Sequence, residues 1–274
     1  MSNEHTMNFI LDKELKTVMP LVQEAGKLAR SIRTGHYKVH YKEKSQGPVT
    51  DADHAVSELL LEKIGREFPD DLLISEEASQ HEGAAQSERI WFIDPIDGTK
   101  EFIENRDEWS IMVGLAIKGV ACLGVVYQPD RDKLYYSAKN KGSFLKTPQG
   151  FKTLKIRSVS QPEEAVLIQS RSHWSSKVDD VAKALGISRT SKLGSIGLKL
   201  GKIAEGTADL YLNFSCHCHL WDLCAPEAIL TEAGGLLILS SGEKPFYGSE
   251  ETQMKKSFLA TNKQLLDKVY PFLK

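Results

Sequence analysis

The sequence predicts an α/β protein in two parts: an α+β part over residues 1–155, then an alternating α/β part over residues 156–274. Three observations predict it. Two long helical patterns open the chain, and five short apolar runs separated by turn residues follow. Beyond about residue 155, strand-like and helical segments alternate. The boundary is soft, and the two parts can share one core.

Residues 8–33 repeat Phe9, Leu15, Val18, Val22, Ala25, Leu28 and Ile32 at helical spacing. After a polar stretch ending in Gly47 and Pro48, a second helix is expected through Ala55, Val56, Leu59, Leu60 and Ile64, with Asp53 near its cap. Strands are expected at Leu72–Ser75, Ile90–Asp94, Ile111–Ile117, Cys122–Tyr127 and Leu134–Ser137. In the second part, Val166–Gln169 reads as a strand before a helix near Ser176–Leu185, and a helix near Gly197–Glu205 precedes a strand at Ala208–Leu212. A helix near Asp222–Ala233 leads into strands at Leu236–Leu239 and Phe258–Ala260, and a last helix spans about Asn262–Phe272.

The totals exclude several classes. A chain of 274 residues with 41% hydrophobic and 26% charged residues has the makings of a buried core. A net charge of −2 argues against general nucleic-acid binding and leaves room for a local basic pocket. No apolar stretch approaches the roughly 18 residues that a bilayer span requires, and the start of the chain lacks the pattern of a secretory signal. The expected location is cytoplasmic, with a peripheral seat at the inner face of the cell membrane as the membrane option. Cys122, Cys216, Cys218 and Cys224 do not have the spacing of a disulfide framework, so reduced thiols are expected.

The informative feature is acidic residues at the ends of apolar strands. Ile90-Trp91-Phe92-Ile93 runs into Asp94-Pro95-Ile96-Asp97-Gly98-Thr99, and the Pro and Gly suit a turn holding two carboxylates at fixed separation. Mg²⁺ takes hard oxygen ligands and keeps several waters, so one or two carboxylates per ion plus substrate oxygens suit it. The Ile96 carbonyl is a further hard oxygen. Glu76-Glu77 follows a strand in the same manner, and Asp222 opens an apolar helix. Alone, a Glu-Glu pair is usually a solvated turn and an Asp before a helix is usually a cap. Gly98-Thr99-Lys100-Glu101-Phe102 reads as the first turn of a short helix whose free amides can hold a phosphate. No Walker lysine motif is present, and no Ser, Cys or His has the setting of an activated nucleophile, which favours direct attack by water.

At these residues the sequence resembles the inositol monophosphatase superfamily of lithium-sensitive, Mg²⁺-dependent phosphatases. The resemblance covers nearly the whole chain and rests on Pro48-Val49-Thr50-Asp51-Ala52-Asp53, Ser75-Glu76-Glu77, Asp94-Pro95-Ile96-Asp97-Gly98-Thr99 and Trp221-Asp222, with Glu232-Ala233-Gly234-Gly235 behind. It implies a layered αβαβα sugar-phosphatase fold and two or three Mg²⁺ ions. Glu76, Asp94 and the Ile96 carbonyl would hold the first; Asp94, Asp97 and Asp222 the second; Glu76 would help hold a third through waters. Thr99 and Asp53 would orient and deprotonate the attacking water, and the amides of Gly98 and Thr99 would grip the phosphate. The pattern gives Asp51 no such role.

Within the superfamily the sequence is most similar to the 3′(2′),5′-bisphosphate nucleotidases of the CysQ type. Lys100-Glu101-Phe102 follows the Gly-Thr, Ser170-Arg171-Ser172-His173 follows a strand, and Gly194-Ser195 with Lys199 precede Ala204-Glu205-Gly206-Thr207-Ala208-Asp209. This likeness implies His173, Ser195 and Lys199 as substrate contacts beside Glu76, Ile96, Asp97, Gly98, Thr99 and Asp222. The implied reaction turns 3′-phosphoadenosine 5′-phosphate into AMP and phosphate. One departure stands against it: those nucleotidases carry an arginine near Asn213, and losing a guanidinium removes a strong phosphate contact that Arg171 or Lys199 would have to replace. The alternatives are an inositol or other small sugar-phosphate substrate, or a non-enzymatic phosphate or metal sensor. The expected partner is a small phosphorylated molecule, with no nucleic acid, no transmembrane segment, and a monomeric or homodimeric state.

Other features have plainer readings. Cys216-His217-Cys218-His219 lacks the second ligand pair of structural zinc and reads as a variable loop beside the site. His173 by itself would be structural; only its Ser-Arg-Ser setting makes it a ligand candidate. Trp91, Trp109 and Trp221 read as core or pocket wall, and the Lys152–Arg157 positives as one exposed face of a strand.

Overall fold

Two sheets separated by a helix pair organise the chain. The computed structural model describes residues 11–41, 47–78, 83–215 and 217–273. Residues 8–10 of the first expected helix, and Cys216, lie outside the described residues. Helices α1 (Asp12–Thr34) and α2 (Asp51–Glu67) lie on one face of a seven-stranded sheet of order β3-β4-β5-β6-β7-β8-β9. Its strands are β3 (Leu72–Ser75), β4 (Arg89–Asp97), β5 (Ser110–Ile117), β6 (Val120–Gln128), β7 (Lys133–Ala138), β8 (Gly142–Thr147) and β9 (Gly150–Thr153). The β3/β4 pair is parallel and the others are antiparallel. A small ribbon of β1 (Val39–Tyr41) and β2 (Pro48–Thr50) precedes α2.

Helices α5 (Ile196–Ala204) and α6 (Leu220–Glu232) cover the opposite face. Since both faces are covered, β5 is buried at every position, which explains its unbroken apolar run. Beyond them lies a five-stranded sheet of order β11-β10-β12-β16-β14, from Arg189–Leu193, Val166–Ser170, Leu210–Asn213, Phe258–Thr261 and Leu236–Leu239. Helices α4 (Ser176–Ala184) and α7 (Lys263–Val269) pack on its far side through Val178, Val181, Leu265 and Val269. The result is the five-layered αβαβα fold that the family likeness implies. Among the described residues, no helix is long and apolar enough to cross a membrane.

Three local features differ from expectation. β4 continues through Pro95 to Asp97, because the ladder carries an irregularity between Asp94 and Asp97 that tolerates the missing Pro N–H. The Lys152–Arg157 positives are not one strand face: only Lys152 lies in β9, while Arg157 reaches the buried Asp209 at 2.8 Å. Residues 218–219 are not loop but a two-residue strand, β13 (Cys218–His219), paired with β15 (Gln253–Met254).

Candidate active site

The irregularity in β4 builds the first part of the site. Asp94 is opposite Met112 and Asp97 is opposite Ser110, so Pro95 and Ile96 together face the single residue Ile111. Three steps along β4 therefore match two along β5. Side chains alternate along a strand, so Asp94 and Asp97 would otherwise point to opposite faces; the extra residue brings both to the α6 face. Ile96 falls on the other face, in the core under α1 and α2.

α6 supplies the third arm. Gly114 of β5 and Gly124 of β6 are directly paired, and a Cβ on them would lie 2.6 Å from Ala225 N and 2.0 Å from Ala225 O. Only the absence of both side chains lets α6 settle this low, which brings Asp222 to the end of β4. Asp222 sits in the first turn of α6 and accepts the His219 amide at 2.5 Å. Asp53 occupies the same place in α2: it accepts the Thr50 amide at 2.7 Å while the Thr50 hydroxyl bonds back to the Ala52 amide. Both aspartates thus start helices and still present an oxygen to the site.

Carboxylate oxygens of Asp94, Asp97 and Asp222 lie within 4.8 Å of one another. Asp94 Oδ1 is buried and, among the described residues, has no hydrogen-bond partner. Burial, then the charges of Glu76, Asp97 and Asp222, push the Asp94 carboxyl well above the carboxylate range. Burial likewise raises Asp97, against the pull of Lys199, and takes Asp222 to about 8. Two buried acids and the half-buried Asp222 around an orphaned oxygen repel one another unless a cation joins them. An all-oxygen donor set of this kind fits a hard divalent ion such as Mg²⁺. Glu76 lines the same cavity at the end of β3 and adds its charge to the cluster.

Thr99 follows the cluster at the start of the five-residue helix α3 (Thr99–Ile103), after Gly98 in a left-handed conformation. Its Oγ1 lies 3.3 Å from Asp53 Oδ1 and 3.1 Å from the Ile96 carbonyl. Burial raises the Asp53 carboxyl to about 7, with Thr50 hydrogen bonds opposing and the Glu76 and Glu77 charges adding. A carboxyl in that range exchanges a proton near neutral pH, and this one stands behind a hydroxyl that faces the cavity.

The cavity, of about 670 Å³, extends from the carboxylates to His173, His217, Lys199 and Asn213. Of the expected site residues, Glu76, Asp94, Ile96, Asp97, Gly98, Thr99, His173, Lys199 and Asp222 line it. Asp53 stands one layer back. So does Ser195, which is fully buried: its hydroxyl reaches Asp97 and Ser110 and accepts the Leu198 amide that starts α5. Lys199 is buried too, with its ammonium donating to the Leu193 and Gly194 carbonyls. His173 lines the cavity yet is exposed; partial desolvation and then the charges of Lys100, Lys199 and His217 lower its pKa to about 4, so the ring is neutral at pH 7.

The sequence reading missed Glu108 and the contacts that fix this wall. Glu108, in the loop before β5, is held by Arg171 through two bonds of 2.7 Å and accepts the Gly194 amide at 3.0 Å. Glu101 of α3 accepts the Ser172 hydroxyl. The Lys-Glu-Phe and Ser-Arg-Ser-His segments, read separately in sequence, are therefore one contact. Asn213 donates to Tyr211 OH at 3.2 Å and accepts the Ser215 amide at 2.7 Å, organising the chain that leads to His217. His217, Cys218 and His219 line the cavity, and the His219 ring stacks on Trp221 at 4.3 Å. Among the described residues, these His and Cys side chains form no metal-ligand cluster. Cys122, Cys218 and Cys224 are buried free thiols.

Comparison with known proteins agrees with this architecture. The sequence is 32% identical over 250 residues to the 3′(2′),5′-bisphosphate nucleotidase CysQ of Salmonella typhimurium, covering 90% of this chain and 99% of the other. It is 29% identical over 240 residues to human inositol monophosphatase 2, covering 83% and 80% of the two chains. The crystal structure of CysQ from Bacteroides thetaiotaomicron superposes with a TM-score of 0.79 at 24% identity, covering 93% of this chain and 99% of that one. The inositol monophosphatase family pattern matches residues 10–272. With the layered fold, the aspartate cluster and a match over almost its whole length, the chain belongs to the inositol monophosphatase family.

Proposed function

We propose that this phosphatase removes the 3′-phosphate of 3′-phosphoadenosine 5′-phosphate, releasing AMP and inorganic phosphate. The observation that carries the reading is the docking of the Ser170–His173 turn onto α3 by Ser172–Glu101 and Arg171–Glu108, on a cavity of nucleotide size beside the aspartate cluster. The two segments that meet there carry the sequence likeness to the CysQ type, and the identity to the Salmonella enzyme supports it.

Asp94, Asp97, Asp222, Glu76 and the Ile96 carbonyl would hold Mg²⁺, which when bound supplies charge neutralisation at the phosphate and a more acidic water. The amides of Gly98 and Thr99 hold the scissile phosphate. The Thr99 hydroxyl, polarised by Asp53, orients the attacking water and passes its proton to the Asp53 carboxylate. The water oxygen forms the new bond to phosphorus as the bond to the 3′ oxygen breaks, and that oxygen takes a proton from solvent. No covalent enzyme intermediate forms. Ser195 and the Gly197 amide hold Asp97 in place.

A second reading, with inositol monophosphate as substrate, draws on the Asn213 departure and on the likeness to human inositol monophosphatase 2. Product analysis separates the outcomes. Incubation of 3′-phosphoadenosine 5′-phosphate with the Mg²⁺-loaded protein is expected to yield 5′-AMP. Adenosine 3′-monophosphate as product, or no product, contradicts the proposal.

A further inference from the structure

This inference rests on the nucleotidase reading and concerns how the second phosphate is recognised. The cations near the cavity are largely committed elsewhere. Arg171, one candidate to replace the missing arginine, is spent on both oxygens of Glu108. Lys199, the other, is fully buried and bonded to two backbone carbonyls. Asn213 itself is tied to Tyr211 and Ser215 and carries no charge.

Lys100 is in a different position. It is exposed, lines the cavity immediately after Thr99, and lies close enough to His173 for its charge to act on that ring. Among the described residues, no carboxylate lies within ion-pair distance of its ammonium. Its two acidic neighbours across the wall are occupied, Glu101 by Ser172 and Glu108 by Arg171. An unpaired ammonium beside a neutral imidazole on a cavity wall is a receptor for an anionic oxygen cluster.

We infer that Lys100, on the wall it shares with His173, is the residue that reads the substrate's second phosphate in this chain. Recognition here is by a flexible point charge rather than a bidentate fork, so it selects for a second anionic group more than for its orientation.

The test compares kcat/KM for 3′-phosphoadenosine 5′-phosphate and adenosine 3′-monophosphate in the full-length Mg²⁺-loaded protein. Lys100→Met is expected to reduce the bisphosphate-to-monophosphate ratio by about 10- to 100-fold, mainly through KM. Lys100→Arg is expected to restore most of it, as is Asn213→Arg added to Lys100→Met. An unchanged ratio, or an equal loss on both substrates, overturns the inference while leaving the nucleotidase reading intact. A wild-type protein that hydrolyses both nucleotides equally well lacks second-phosphate recognition and overturns the inference by itself. Hydrolysis of neither nucleotide overturns the nucleotidase reading and the inference together.

Discussion

Arg171 holds both carboxylate oxygens of Glu108 at 2.7 Å, joining the turn after β10 in the second sheet to the loop before β5 in the first. The same loop also receives the Ser195 amide at its Glu108 carbonyl, 3.1 Å away. Glu108 is thus the point where the cavity wall of Ser172 and His173 is fastened to the first sheet. Glu108→Gln is expected to lower stability by about 1 kcal/mol, since Arg171 stays partly solvated. The larger effect is expected on KM for the nucleotide, with kcat less affected. Arg171→Lys is expected to behave like Glu108→Gln, because a lysine cannot reproduce the two-pronged contact. Thermal melts and steady-state kinetics check both.

The buried acids oppose folding when no cation joins them. Asp94→Asn replaces a carboxyl whose ionisation is opposed by burial and by the neighbouring acids, and still bonds to Asp222 through its amide, so stability in chelator is expected to rise by about 1–3 kcal/mol. The same variant is expected to lose most of the Mg²⁺-dependent rise in Tm seen in the wild type. Its activity is expected to fall by more than the roughly 10–100-fold that changes outside the ligand set cost. Melting curves with Mg²⁺ and with chelator read the first two effects without reference to turnover.

Asp53 has two tasks with separable readouts. Asp53→Asn weakens the cap of α2, which is expected to cost about 1 kcal/mol, and removes the proton acceptor behind Thr99. A fall in kcat of about 100- to 10,000-fold is expected, with the Mg²⁺-dependent shift in Tm retained. Loss of that shift would place Asp53 among the metal ligands instead.

Stability is expected to depend on pH through Glu227, a buried residue of α6 that accepts the Tyr247 hydroxyl. Burial raises its carboxyl from 4.5 to about 7, with the Tyr247 bond and Lys244 opposing. Below pH 4.5 the folded and unfolded forms are both protonated, and Glu227 costs nothing. As pH rises from 4.5 to 7 the unfolded chain releases its proton first, so the folded state loses roughly 2–4 kcal/mol of stability over that window. Glu227→Gln is expected to flatten this part of the profile, as denaturant titrations at several pH values would show. An unchanged slope would mean that another group governs it.

The site was legible in sequence where its residues are neighbours along the chain. Asp94, Asp97 and Thr99 sit in one turn-rich segment after an apolar strand, and Thr50 with Asp53 has the spacing of a capped helix. What the sequence concealed are relationships across distance. A proline and a glycine near Asp94 read as a turn, but the backbone stays in the ladder and uses an irregularity to aim both aspartates one way. The Gly114–Gly124 pair looks like a weakness in two strands until α6 is seen resting on it. Strands β9 and β11 were missed because their residues are exposed and polar, leaving no apolar run to detect. The contacts of Glu101 and Glu108 could not be read, since their partners lie 71 and 63 residues away.

The proposed function is Mg²⁺-dependent hydrolysis of a nucleotide bisphosphate selected by the cavity. Parallel phosphate-release assays on 3′-phosphoadenosine 5′-phosphate and inositol 1-phosphate, each with Mg²⁺ and with chelator, test it most directly. Turnover is expected to require Mg²⁺, with kcat/KM for the nucleotide well above that for the inositol phosphate. A preference for inositol 1-phosphate, or nucleotide hydrolysis that persists in chelator, would contradict it.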